Sequence, residues 1–350
     1  MEEMIKLLPL DEPGFLQAVT RRVLLDAQEI RVHPGLSSDT FSLDEIQRFK
    51  PDLITLAVEP PGRVVERVQQ ISYHFPCSIL LHSESSWSNK GFILKALASG
   101  AVDFFSWPTF HDPIKLGHSQ EQFLNKIRYW GKKTHSSSWP ARKSEAEVDR
   151  LSALEERVAE GCDLVVVGVA VGGVGDLYRF LQEVGTLSAP IVVALQGVEG
   201  MRDLVGLLHQ ESGCPIQVGA SGEVLQDGSI TVVPEGVDGV IKRNDAGRFI
   251  LCSTFQPDLD SHPSINRLFH SALSQASCPV GVVLSGRGVD GCEAASSFTK
   301  KQRPLLVQDP HSSPATEMLY AALQSQAETS VLSLEEMGTF LGRITAAKSF

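Results

Sequence analysis

A chain of 350 residues exceeds the usual size of one hydrophobic core, and 42% hydrophobic with 21% charged residues excludes wholesale disorder, collagen-like repeats and a disulfide scaffold. A net charge of −11 is poorly suited to gripping nucleic acid phosphates or anionic lipid, so nucleic acid is not expected and protein or small-molecule partners are. The six cysteines (Cys77, Cys162, Cys214, Cys252, Cys278, Cys292) show no CxxC spacing, which fits reduced thiols and gives no support to a structural zinc. The opening MEEMIKLLPLDEP has no basic region ahead of a long apolar run, and no stretch of ~18 apolar residues follows anywhere. A cytoplasmic protein without membrane insertion is the expectation.

In chain order, Ile5 to Leu10 reads as a strand, Phe15 to Leu25 as a helix, Pro51 to Val58 as a buried strand and Val64 to Tyr73 as a helix. Cys77 to Leu81 is a strand, Gly91 to Ser99 a helix closed by Gly100, and Val102 to Ser106 a strand ahead of Pro108. Strands separated by single helices call for a parallel sheet covered on both faces. From Tyr129 to Gly161 the texture turns polar, Ser-rich and charged, and a linker is expected over 131–160.

A second α/β pattern then opens with the β-branched run Leu164 to Val169, a glycine turn and a helix around Leu177 to Val184. Further strands are expected at Pro190 to Leu195, Ser229 to Val233, Arg248 to Cys252, Val280 to Leu284 and Pro304 to Val307. Helices are expected at Met201 to Glu211, Ser264 to Ser277, Glu293 to Lys301 and Thr316 to Ser325, with a β-rich insertion around 214–253. The expected class is α/β, with two doubly wound domains: 1–130, flavodoxin-like, and 161–350, Rossmann-type with a parallel sheet.

Ligands and catalytic groups gather past the carboxyl ends of such strands. Three turns stand there: Gly168 to Gly173, Gln196-Gly197-Val198, and Ser285 to Gly291. Gly168, Gly172, Gly173 and Gly175 do not have the G-x-G-x-x-G spacing of a dinucleotide fingerprint, and no Gly-Lys-Ser/Thr exists for a P-loop. A nucleophile elbow needs a Ser at the turn, where Ala170 stands instead. Glycines kept only for helix–sheet packing would account for the first turn equally well.

Taken together, VVVGVAVGG, PIVVALQGV, SHPSINRLFHSAL, VVLSGRGVDG and LLVQDPHSSPATEML resemble, in order, the catalytic domain of the chemotaxis protein-glutamate methylesterases. That family joins a phosphorylatable receiver to an esterase domain through a linker, so the resemblance spans nearly the whole chain. It implies hydrolysis of glutamyl methyl esters on chemoreceptors, and often deamidation of receptor glutamines, by a Ser-His-Asp triad. The family's G-A-S-T-G-G turn is met by Gly168-Val169-Ala170-Val171-Gly172-Gly173, which puts Ala170 in the nucleophile's place. Its histidine follows a Gln, and here Gly197 follows Gln196. Its G-M-G-x-D-G loop is met by Gly286-Arg287-Gly288-Val289-Asp290-Gly291, so Asp290 alone of the triad is kept. R-P-S-V-D becomes His262-Pro263-Ser264-Ile265-Asn266, and P-G-D-x-H becomes Pro234-Glu235-Gly236-Val237-Asp238.

The receiver pattern departs in the same way. The acidic pair that holds Mg²⁺ is matched by Asp11 and Glu12, which equally suit a cap of the first helix. Ala57 takes the phosphoacceptor position, with Glu59 a weak substitute. His82 or Ser83 takes the hydroxyl position, and Trp107-Pro108 replaces Lys-Pro. Phosphorylation, bound Mg²⁺ and any other cofactor are therefore not expected.

An orienting aspartate without its imidazole and hydroxyl has nothing to orient. The expectation is a degenerate methylesterase that works by binding chemoreceptors or chemosensory kinase and adaptor proteins, in a chemosensory or pilus-motility pathway. The alternative is an active methylesterase or glutamine deamidase with relocated groups, such as Cys292 or Ser285 with a nearby histidine. A third reading is nucleotide or second-messenger binding at the Gly168 to Gly175 turn. Asp290 also suits a plain Asp-Gly turn. His209 and His270 read as surface or packing residues, whereas His262 and His311 fall near the expected cleft by motif position. Restoring Ala170→Ser and Gly197→His together is expected to recover some activity if the frame is intact.

Overall fold

A computed structural model describes residues 4–10, 15–24, 27–33, 42–58, 63–84, 91–108, 113–132, 161–185, 187–255, 262–325 and 329–346. The chain divides into two compact units, Met1–His135 and Ser136–Phe350, and each is taken by itself.

The first unit runs β1 (Ile5–Leu10), α1 (Phe15–Leu24), β2 (Ile30–Val32), α2 (Leu43–Phe49), β3 (Leu53–Ala57), α3 (Val64–His74), β4 (Ser78–Ser83), α4 (Gly91–Ala98), β5 (Asp103–Ser106) and α5 (Pro113–Gly131). Its five strands are parallel in the order β2-β1-β3-β4-β5. The chain winds outward from β1 in both directions, as the alternating pattern requires. β3 is buried at every position, which explains its unbroken apolar run. The short β2, α2 and α5 were not expected, and Gly131 is the last residue of α5. Residues 133–160, which make up almost all of the expected linker, lie outside the described residues, as do Asp11, Glu12 and Glu59.

In the second unit, β6 (Leu164–Val169), α6 (Val174–Val184), β7 (Ile191–Leu195), α7 (Met201–Ser212), β8 (Ile216–Val218), β9 (Glu223–Val224), β10 (Ile230–Val232), β11 (Asp238–Arg243) and β12 (Phe249–Thr254) come first. Then follow α8 (Ile265–Gln275), β13 (Pro279–Val283), α9 (Cys292–Lys300), β14 (Leu305–Gln308), α10 (Glu317–Gln324), β15 (Ser330–Leu332) and α11 (Leu334–Ala346). Seven strands form a parallel sheet in the order β15-β14-β13-β6-β7-β10-β8. The expected β-rich insertion is divided. β8 and β10 belong to this sheet, and only β9, β11 and β12 form a separate antiparallel one.

All six positions of β6 are buried, with α8 packed against it. Each such Val or Leu contributes roughly 1.5–3 kcal/mol of apolar burial. In α6, Leu177, Phe180, Leu181 and Val184 recur at helical spacing and are all buried. α8 begins where Ser264 accepts a hydrogen bond from the Arg267 N–H. Its Ile265 lies so close to β6 that a Cβ on Gly168 would fall 2.5 Å from the isoleucine Cγ2. Only glycine allows that approach.

Candidate active site

Chain order reverses between β6 and β13, so the turns after β6, β7 and β13 converge at one end of the sheet. The backbone ties them together. The Ala170 N–H donates to the Ser285 carbonyl at 3.2 Å, and the Arg287 N–H donates to the Val171 carbonyl at 2.9 Å, forming an isolated antiparallel bridge. The Gln196 N–H donates to the Val169 carbonyl at 3.0 Å. Ala170, Gly197 and Asp290 are thus brought to the same end of the sheet.

Ala170 is 1% exposed and belongs to the apolar core that includes Ile265 and Val283. Gly286, with φ +144, passes so near that a Cβ on it would lie 2.5 Å from the alanine methyl. Gly197 has φ +71, where a side chain is strained. A Cβ there would come within 3.2 Å of Val171 Cβ and Cγ1 and closer still to Cγ2.

Asp290 is held by the start of α8. Its carboxylate accepts from the Ile265 N–H at 2.6 Å, the Asn266 N–H at 3.1 Å, its own loop's Gly291 N–H at 2.9 Å and the Gln196 side-chain amide at 2.8 Å. The Ser264 hydroxyl donates to it at 3.4 Å. A carboxylate at otherwise unpartnered helix amides is favoured both by hydrogen bonding and by the helix dipole. No imidazole among the described residues hydrogen-bonds to Asp290.

The candidate relocated nucleophiles are placed unfavourably. Ser285 is fully buried and its hydroxyl donates to Asp176, which also pairs with Arg179 at 3.2 Å. Burial, and secondly the negative charge of Asp290, push the Cys292 thiol up to about 11. Thiolate, the nucleophilic form, is scarce at neutral pH under that condition. His209 lies on α7 and donates to the Cys214 carbonyl at 2.7 Å, His270 lies 3.9 Å from Glu293, and His311 lies 3.0 Å from Asp309.

His262 does meet a carboxylate, although not that of Asp290. Its Nδ1 donates to the fully buried Asp238 at 2.9 Å, and its ring packs against Phe255 with centroids 5.0 Å apart. Asp238 also accepts from the Ser264 N–H at 2.8 Å and faces Arg267 Nε at 3.5 Å. Sequence reading had both residues as departures from a motif and missed that they pair. An acid and a base replacing two polar residues was the available signal. A depression of about 690 Å³ at this end of the sheet is lined by Gly200, Arg202, Asp203, Val218 and Glu235 among others. Ala170, Gly197 and Asp290 do not line it.

These turns, strands and helices fall within residues 165–341, which match the family model described as CheB methylesterase. The chain belongs to the CheB methylesterase family. Over 96% of its length and of the relative's it is 24% identical to a protein-glutamate methylesterase/protein-glutamine glutaminase of Syntrophotalea carbinolica. It is 25% identical to one of Burkholderia thailandensis across 98% of this chain and 97% of that one, and 26% identical to one of Xanthomonas oryzae across 99% of each. Among solved structures it is similar to the Thermotoga maritima CheB methylesterase catalytic domain, with 20% identity, a TM-score of 0.47, and coverage of 52% of this chain and 98% of that one.

The first unit holds a buried aromatic cluster at the ends of β4 and β5. Ala57 ends β3 and is buried. His82 and Ser83, on β4, are wholly buried. The Trp107 indole N–H donates to His82 Nδ1 at 3.3 Å, and Phe123 from α5 packs on Trp107 at 4.8 Å and on His82 at 5.3 Å. Accepting at Nδ1 leaves the neutral His82 proton on Nε2.

Proposed function

We propose that this CheB-family chain is a catalytically inactive, unphosphorylated regulator that acts by binding chemoreceptors or chemosensory kinase and adaptor proteins in a cytoplasmic signalling pathway. Its parts are a receiver-like region over 1–130, a linker over 131–160 and a methylesterase-like region over 161–350. The observation that carries the reading is the set of partners of Asp290: backbone amides, an amide side chain and a serine hydroxyl, with no base among the described residues. Attack on a methyl ester needs a hydroxyl or thiol and a base to take its proton. Ala170 and Gly197 supply neither.

An active esterase or deamidase with relocated groups is disfavoured by the buried, carboxylate-bound Ser285 and the raised thiol of Cys292. The deciding experiment is incubation of the purified full chain with methylated chemoreceptor, with methanol release as the readout. Release no faster than the protein-free blank is expected. Release at a catalytic rate would overturn the proposal.

A further inference from the structure

What one nitrogen of an imidazole holds decides what the other can do. His262, just ahead of α8, has its Nδ1 2.9 Å from Asp238, which is fully buried at the first position of β11. An ionised carboxylate only accepts, so Nδ1 carries the proton in that contact. Arg267 Nε faces the second Asp238 oxygen at 3.5 Å, and the Ser264 N–H donates to the first at 2.8 Å. The buried carboxylate therefore has its counter-charge in Arg267, and the imidazole need not supply one. In the neutral ring the lone pair is left on Nε2. That atom has no hydrogen-bond partner among the described residues and is not one of their buried unpartnered polar atoms, so it opens on solvent. Beside it, directly after β12, stands Phe255. Its ring lies 5.0 Å from the imidazole at an interplanar angle of 31°, yet the residue is 63% exposed and leaves most of its apolar surface uncovered.

We propose that His262 and Phe255 form a recognition site for a side-chain carboxamide on a protein partner. The Nε2 lone pair accepts from the amide N–H, and the Phe255 ring supports the apolar stem that carries it. A carboxylate and a methyl ester have no donor and cannot make this bond. The site would thus tell a glutamine from a glutamate or its ester at the same place. Asp238 touches His262 and not the partner, so it is a positioning residue: it fixes the tautomer. The inference rests on the reading that the chain acts by binding, and it names the chemical group that is read.

The test titrates the full-length chain, at about pH 8 and so above the ordinary imidazole range, into a chemoreceptor cytoplasmic fragment. The fragment is prepared in three forms, with glutamine, glutamate or glutamyl methyl ester at its modification positions. The glutamine form is expected to bind about tenfold more tightly than either other form, the effect of one net hydrogen bond. His262→Phe keeps a ring against Phe255 and removes both nitrogens, and it should level the three affinities. Imidazole ¹⁵N resonances of the wild-type chain supply a readout that no variant's folding can disturb, with the proton expected on Nδ1. Equal affinities for the three forms, a preference that survives His262→Phe, or a proton on Nε2 would overturn the carboxamide site and leave the binding reading standing. Failure to bind any form would overturn that reading and this inference with it.

Discussion

Gln196 donates its side-chain amide to Asp290 at 2.8 Å and to the Pro263 carbonyl at 3.0 Å, so the residue before Gly197 bridges the Asp290 carboxylate to the turn that opens α8. Asp290 thereby serves as an external cap for a helix 25 residues upstream in the chain.

Replacing Asp290 should therefore be read in stability. Asp290→Asn removes the charge and one acceptor oxygen, leaving α8 amides short of partners, and is expected to cost about 1–3 kcal/mol. Thermal melting of the variant should shift down. An unchanged melting temperature would show that the carboxylate does not hold the helix start.

Cys292 supplies a pH test. With the thiol raised to about 11, the thiolate fraction is roughly one in a thousand at pH 8 and grows tenfold for each pH unit up to the titration point. Alkylation by iodoacetamide, located by peptide mass spectrometry, should be slow at pH 7–8 and accelerate through pH 10. Fast labelling at pH 7 would place Cys292 among activated thiols and revive the relocated-nucleophile alternative.

In the receiver-like unit, Ala57→Asp introduces a carboxylate at the end of β3 without changing its surroundings. It is expected to leave the chain unlabelled by acetyl phosphate and Mg²⁺, because Trp107, His82 and Phe123 are packed together beside the end of β4. Intact-mass measurement of phosphate incorporation decides the point. Trp107→Ala should cost about 3–5 kcal/mol, as for other large buried aromatics, and a loss below about 1 kcal/mol would mean that the cluster is not part of the core.

Asp238 offers a further check. Asp238→Ala leaves Arg267 without its carboxylate and removes the acceptor for His262 and for the Ser264 amide. Leaving buried donors without their acceptor in this way costs about 1–3 kcal/mol. A much smaller shift in urea midpoint would contradict that accounting.

The largely apolar runs of β6, β7, β13 and β14 were legible because parallel strands covered on both faces are apolar at nearly every position. Three-residue strands such as β2, β8 and β15 were not, since so few residues carry no period. β10 was read as part of an insertion, although Ile230, Thr231 and Val232 pair with Ile191, Val192 and Val193. The order of the glycine turns located the candidate site, and Asp290 was legible within it. Its partners were not, because hydrogen bonds across 25 and 94 residues depend on sheet order.

The Val171–Arg287 bridge has a consequence for how this unit opens. Segments that open to admit a ligand are drawn from the least stable part of a fold. Here the strand ends are cross-linked by backbone hydrogen bonds from Ala170 to Ser285 and from Arg287 to Val171. The amide protons of Ala170, Arg287 and Ile265 should accordingly be among the slowest to exchange with deuterated solvent, released only when the whole sheet comes apart.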